Sequence, residues 1–469
     1  MAPSFGTSGL RGLVTELTPE LVTRYVQAFL ATCPNGGRLY VGRDLRPSSP
    51  EIAGHVLAAA RAVGIEAVDC GDLGTPALAL ASMGAGAAAI MVTGSHIPAD
   101  RNGLKFYLPG GEVSKADEAR IVAGYAAGAK PSRAPEEGGL ISADGLAGAY
   151  VARYAAAFGA EALSGMKVGV YQHSSVAREV MMAILAALGA RPVALARSEV
   201  FVPVDTEAVP PDTRAAIRGW CAELGLDAVV STDGDADRPL LADAAGEVVP
   251  GDVLGVISAR ALGAKVICTP VSSNAMVGRI PEFAEVRLTK IGSPFVIAAM
   301  EAVLAADPAA SVAGFEANGG FLLGFTAEGG LLKGPLPPLM TRDSVLPMLV
   351  PLAVAKATGQ PVADLVAGLP PCFTAADRVQ EIDRDKAKTF LDGLIAEAST
   401  RAAFFAPSGE IDSLDLTDGL RVNLASGAVV HLRPSGNAPE FRIYAQGTSP
   451  EAAQALTRTY MDRVAAQVR

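Results

Sequence analysis

Cysteine is scarce in this chain of 469 residues: Cys33, Cys70, Cys221, Cys268 and Cys372 are odd in number and scattered. None forms a CxxC pair, which excludes a disulfide framework or a thiolate zinc site and predicts reduced, buried thiols. Long apolar runs are missing too. Mean hydropathy is +0.31, yet the longest candidate span, Val345 to Ala355, is broken by Pro347 and Pro351 and falls short of the ~18 residues a spanning helix needs. There is no surplus of basic charge: 39 Lys and Arg stand against 49 Asp and Glu, a formal net charge of −10. That balance argues against nucleic acid as the main partner and leaves room for a small phosphorylated ligand. The segment Met1–Gly6 has no basic stretch leading into an apolar one, so a cytoplasmic location is expected. No serine lies in a GxSxG context and no GxxxxGK[ST] occurs, which removes two common hydrolase and nucleotide-binding readings. Gly84–Ala89 matches GxGxxA but precedes a strand instead of following one, so it is not a dinucleotide turn.

Present in abundance are short apolar strands in triplets, three times over. The first block holds Arg38–Asp44, Glu66–Gly71 and Ala88–Thr93; the second Lys167–Tyr171, Arg191–Ala196 and Asp227–Thr232; the third Lys265–Thr269, Glu285–Thr289 and Ser311–Gly314. Alanine-rich stretches such as Pro50–Val63 and Ala177–Leu188 separate them. Continuous apolar strands alternating with helices predict doubly wound α/β layers. The Gly-, Ala-, Pro- and Ser-rich stretch Ala127–Gly145 reads as a linker or surface excursion, and further breaks fall at Val249–Asp252 and Leu369–Phe373. Beyond them, strands Leu420–Asn423, Val429–Arg433 and Phe441–Ala445 and a helix from about Pro450 to Val468 predict a smaller α+β domain. The expected fold is therefore α/β, with three similar doubly wound α/β domains (1–145, 146–250, 251–370) and an α+β C-terminal domain (371–469), arranged around a central cleft.

Each block ends its third strand in a polar, glycine-bearing loop: Thr93–His96, Asp233–Arg238 and Gly314–Gly320. In open α/β sheets, ligands bind at the carboxyl ends of the strands. Asp233, Asp235 and Asp237 alternate along one loop and can converge on a cation. An EF-hand would need Gly and Glu where Arg238 and Ala244 stand, so an octahedral Mg²⁺ is the better match. Ser95, between Gly94 and His96, is either a helix cap or a phosphoryl carrier, with Lys105 and His96 to balance charge. Gly6–Gly12 (GTSGLRG) packs three glycines and Arg11 into an anion-binding loop or a loose tail, and Arg433–Asn437 with Arg442 suits bidentate phosphate capture.

Taken together these segments resemble the α-D-phosphohexomutase family across essentially the whole chain. Gly6–Gly12 is similar to the family's N-terminal motif, Thr93–Lys105 to its phosphoserine loop, Asp233–Arg238 to its metal loop, Gly314–Gly320 to its sugar loop and Arg433–Tyr444 to its phosphate loop. The resemblance implies that Ser95 carries a phosphoryl group and that Mg²⁺ is held by Ser95, Asp233, Asp235 and Asp237. It implies catalytic roles for Arg11, His96 and Lys105, and substrate binding by Arg238, Lys290, Glu316, Asn318, Arg433, Ser435, Gly436, Asn437 and Arg442. The implied reaction interconverts hexose 6-phosphate and hexose 1-phosphate through a hexose 1,6-bisphosphate.

Four departures bear on the sugar: Ile97 replaces a common Asn, Asn437-Ala438 a common Thr-Glu, Lys290 stands before Gly292 where a lysine often follows, and the sugar loop reads GFEANGG. That last form resembles bacterial phosphomannomutases, so mannose phosphates are the expected substrate. Phosphoglucomutase or dual activity, phosphoglucosamine mutase, a phosphatase and a non-catalytic phosphosugar-binding paralogue are the competing readings. Neither nucleic acid nor membrane is an expected partner, and the sequence leaves the oligomeric state open.

Overall fold

The computed structural model describes residues 3–6, 9–131, 136–435 and 440–469. It divides into two compact units, residues 1–267 with 292–366, and residues 268–291 with 367–469.

The first unit is built on repeated β/α layers. Its first sheet runs in the order Ser4–Gly6, Gly9–Leu13, Arg101–Leu108, Ala88–Val92, Arg38–Arg43, Glu66–Asp72, Leu140–Ser142, with Gly111–Glu112 added beside Arg101–Leu108. The run Ala88–Val92 lies at its centre and is buried along its whole length, as its unbroken Ala-Ala-Ile-Met-Val sequence requires. Helix Pro19–Thr32 covers one face; Thr18 accepts from the Leu21 N–H at 3.3 Å and Pro19 opens the first turn. The second sheet runs Arg191–Arg197, Lys167–His173, Ala228–Thr232, Pro239–Ala242, Val248–Val249. Strands Val312–Phe315, Phe321–Leu323 and Leu339–Asp343 continue the pattern antiparallel to one another.

The strands expected in the three blocks are all present within one or two residues. The sheets are mixed, however, and the reason is common to all three. The third strand of each block turns back on itself: Ala88–Val92 pairs antiparallel with Arg101–Leu108, Ala228–Thr232 with Pro239–Ala242, and Val312–Phe315 with Phe321–Leu323. The loops Thr93–His96, Asp233–Arg238 and Gly314–Gly320 thus each fall at the turn of a hairpin, at the carboxyl end of its first strand. The stretch 127–145 is more than a linker: Leu140–Ser142 pairs in parallel with Glu66–Asp72, and Gly138 N–H donates to Arg61 O at 2.8 Å.

In the second unit, five antiparallel strands run in the order Phe373–Gln380, Glu440–Gly447, Val429–Pro434, Leu420–Leu424, Ile411–Asp415. Helix Pro450–Val468 buries Ala453, Thr457, Tyr460, Val464 and Val468, with Leu456 packed partly against the same core. Among the described residues no helix is long and apolar enough to cross a membrane.

Candidate functional site

The hairpin tip 93–100 holds Ser95 in a left-handed backbone, φ 56°, a conformation a non-glycine residue keeps only where its surroundings enforce it. The Ser95 N–H donates to Thr93 Oγ1 at 2.7 Å, and Thr93 in turn donates to Asp44 Oδ2 at 2.7 Å. The enforcement comes from Arg46, which is fully buried. Its Nε donates to Asp44 (3.1 Å), Nη1 to the carbonyls of Pro98 (2.7 Å) and Arg101 (3.0 Å), and Nη2 to those of Ser95 (2.9 Å) and Ile97 (2.6 Å). All five guanidinium N–H groups are used, and Phe201 lies 4.1 Å beneath. Gly94 makes room for this clamp: a Cβ there would meet the Arg46 Cζ at 2.6 Å.

The second tip brings Asp233, Asp235 and Asp237 together, fully buried, with ligand oxygens within 4.8 Å of one another. Ser95 Oγ donates to Asp233 Oδ2 at 2.6 Å. Thr75 Oγ1 donates to Asp235 Oδ2 at 2.6 Å, and Lys105 Nζ bridges Asp235 and Asp237 at 2.5 Å each. Burial, then its two like-charged neighbours, pushes the Asp233 carboxyl well above the ordinary carboxylate range. Against the same burial, Arg342, Lys105 and Arg238 hold Asp237 below it. Among the described residues, Asp235 Oδ1 and Asp237 Oδ1 are buried without a hydrogen-bond partner. Three converging carboxylates with two uncommitted oxygens fit a hard divalent cation such as Mg²⁺.

Around the cluster, Arg11 stands on strand Gly9–Leu13 opposite Gly103; burial, then Arg238, pushes its guanidinium down to about 10. Arg238 Nη1 lies 3.0 Å from His96 Nδ1, which is also 3.4 Å from Ser95 Oγ. Burial, then Arg238 and Arg11, pushes the imidazole down to about 2, so the ring is neutral at physiological pH. In the third tip, the Glu316 carboxyl is pushed up by burial, which Arg342 opposes. Asn318 spends its Oδ1 on the loop itself, accepting from Gly320 N–H at 3.0 Å.

Arg11, Ser95, His96, Lys105, the three aspartates, Arg238, Glu316 and Asn318 thus all lie in the first unit. The second unit holds the other predicted residues. Arg433 and Arg442 stand directly opposite each other on paired strands; Arg433 is ion-paired to Asp418 at 2.9 Å and Arg442 to Glu440 at 2.7 Å. Ser435 N–H donates to Glu440 O at 2.8 Å. Lys290 is exposed, and its neighbour Ile291 donates its N–H to Asp418 Oδ2 at 3.0 Å. Gly436 and Asn437 fall outside the described residues.

Sequence reasoning missed Arg46, Glu112, Arg342 and Asp418. Arg46 alone left a signal: it sits just beyond the carboxyl end of strand Arg38–Arg43, which runs parallel to Ala88–Val92 and so ends on the same side of the first sheet as the Ser95 loop.

Models of the phosphoglucomutase/phosphomannomutase α/β/α domains I, II and III match residues 2–132, 149–246 and 250–373. A phosphomannomutase of Sinorhizobium fredii is 43% identical over 97% of each chain, and one of Salmonella muenchen 40% identical over 98% of this chain and 95% of its own. A solved phosphoglucomutase/phosphomannomutase family protein of Burkholderia thailandensis, 21% identical, shares the fold with a TM-score of 0.76 over 98% of this chain and 96% of that one. Fold and site together define an isomerase, a phosphohexomutase. More particularly, the chain belongs to the phosphoglucomutase/phosphomannomutase family, the α-D-phosphohexomutases.

Proposed function

We propose that the protein is a phosphomannomutase that interconverts mannose 6-phosphate and mannose 1-phosphate through phospho-Ser95 and a hexose 1,6-bisphosphate. The observation that carries this reading is Ser95 Oγ, 2.6 Å from Asp233 Oδ2 at the edge of a buried three-carboxylate cluster. In the first half-reaction the Oγ–P bond breaks and a bond forms between phosphorus and the free sugar hydroxyl, whose proton leaves. In the second half-reaction the other phosphate of the bisphosphate returns to Ser95 Oγ. Such transfers need alignment and charge neutralisation more than covalent help.

Asp233, Asp235, Asp237 and the seryl phosphate would hold Mg²⁺, which when bound supplies neutralisation of phosphoryl charge. Arg11 and Lys105 bring further positive charge to the same place. Lys105 and His96 are the two candidates for moving the hydroxyl proton: Lys105 is engaged by two aspartates, and His96 Nδ1, 3.4 Å from Ser95 Oγ, also faces Arg238 Nη1 at 3.0 Å. Glu316 and Asn318 recognise sugar hydroxyls; Arg238, Lys290, Arg433, Ser435, Gly436, Asn437 and Arg442 bind substrate phosphate. The sugar assignment is supported by the two phosphomannomutases at 43% and 40% identity. The proposal includes domains bounded at residues 145, 250 and 370 and a cytoplasmic location.

Intact mass before and after incubation with a hexose 1,6-bisphosphate, with peptide mapping, tests the mechanism. One phosphate on Ser95, removed by mannose 6-phosphate, is expected; a chain that never takes up phosphate refutes it. Coupled assays with mannose, glucose and glucosamine phosphates test the sugar, and a preference for glucose or glucosamine overturns that part alone.

A further inference from the structure

Arg342 lies next to last in the strand Leu339–Asp343 and is 3% exposed. Each of its three nitrogens faces a carboxylate from a different part of the first unit: Nη2 faces Asp237 Oδ2 at 2.8 Å, Nη1 faces Glu316 Oε2 at 3.6 Å, and Nε faces Glu112 Oε1 at 3.8 Å. Glu112 is itself fixed, accepting from Ser293 Oγ at 2.8 Å and Thr341 Oγ1 at 2.9 Å. Two residues on, Ser344 Oγ donates to Ala236 O at 2.7 Å, inside the aspartate loop. On the other side the arginine stem lies against the sugar loop so closely that a Cβ on Gly320 would meet its Cδ at 2.8 Å. Among the described residues Glu316 Oε2 has no hydrogen-bond partner, and the guanidinium faces it.

We propose that Arg342 is a positioning residue that couples the aspartate cluster to the sugar loop, dividing one positive charge between Asp237 and Glu316. This rests on the reading of those two loops given above. A guanidinium suits the task because its planar fork presents donors in several fixed directions, whereas an ammonium is a point charge. The division has a sign. Removing the Glu316 charge leaves Arg342 to Asp237 and Glu112, so Asp237 becomes a poorer cation ligand. Arg342 is ion-paired to both carboxylates, so without it the Glu316 charge loses its direct route to Asp237 and only the weaker influence of Arg238 on both remains.

The test is a double-mutant cycle on Mg²⁺ binding to the full chain, by calorimetry without sugar, with Ser95 shown by intact mass to be unphosphorylated. Glu316→Gln should weaken Mg²⁺ about three- to tenfold in the wild-type background, less than the roughly 10–100-fold typical of losing a direct partner of a metal ligand, because Glu316 acts only through Arg342. It should shift Mg²⁺ affinity less than about 1.5-fold when Arg342→Lys or Arg342→Gln is present, since coupled residues depart from additivity. Arg342→Lys should also raise KM for the hexose phosphate more than it lowers kcat. Equal effects of Glu316→Gln in both backgrounds would overturn the proposal, because they would mark plain through-space electrostatics. So would an unchanged Mg²⁺ affinity in Glu316→Gln alone, an isosteric change that needs no arginine variant to fold. A wild-type protein that binds no Mg²⁺ or lacks mutase activity would sink the functional reading instead.

Discussion

Replacing Arg46 by lysine isolates what a planar guanidinium does for the Ser95 loop. The wild-type side chain makes five hydrogen bonds, one to Asp44 and four to loop carbonyls. Lysine keeps the charge beside Asp44 but has three N–H groups on one atom, so at least two of the five partners lose their donor. At about 1.5 kcal/mol for each charged hydrogen bond lost, the change destabilises by about 3 kcal/mol. That corresponds to a fall in melting temperature of roughly 5–10 °C for a cooperative unit of a few hundred residues. The functional loss should be larger. Ser95 holds its left-handed φ of 56° only under this clamp, and a shift of about 1 Å in a reacting atom costs on the order of 10²-fold in rate. The assay is kcat with mannose 1-phosphate alongside a thermal melt. An Arg46→Lys variant that melts within about 1 °C of wild type and keeps kcat within about twofold would refute the reasoning, because a point charge would then suffice.

Three further outcomes are expected. Ser95→Ala should lose at least ~10³-fold of mutase activity; retention of most activity in the coupled assay would remove Ser95 from the mechanism. Glu316→Ala should damage turnover while the protein still binds Mg²⁺, and loss of metal by calorimetry would contradict the assignment of the two loops. Burial, then Arg421 and Arg433, pushes the imidazole of His431, which donates to Asp418 O, from 6.5 down to about 4. The unfolded chain therefore takes up a proton below 6.5 that the folded one refuses until about 4, so stability is full above 6.5 and falls through that window. The loss approaches about 3 kcal/mol, and parallel urea-unfolding pH profiles for wild type and His431→Asn would show that this histidine does not contribute.

Strands such as Ala88–Val92 and Ala228–Thr232 were legible because both their faces are buried and a continuous apolar run has no other soluble use. Their antiparallel partners were not. Arg101–Leu108 carries Asn102 and Lys105 along a nearly fully buried strand, and those polar residues are tolerated only because Ser48, Ser49 and two aspartates meet them. Phe373–Gln380 escaped notice for the opposite reason: it is an edge strand, exposed at most positions, so no alternation marks it.

The same distinction divides the site. Aspartates spaced two apart, or a serine between glycine and histidine, announce themselves because the groups that act together are neighbours in the chain. Arg46 and Arg342 do not, since an arginine near a turn reads as solvated. Their burial is decided largely by groups far along the chain: the Ser95 carbonyl lies 49 positions from Arg46, and Asp237 and Glu112 lie 105 and 230 positions from Arg342. Each is one cation serving several anionic or carbonyl partners, and a buried charge left without such partners would be strongly destabilising. Sequence therefore exposes the groups that do the chemistry sooner than the groups that hold them in place, and it is the latter that fix the angle at which Ser95 meets the aspartates.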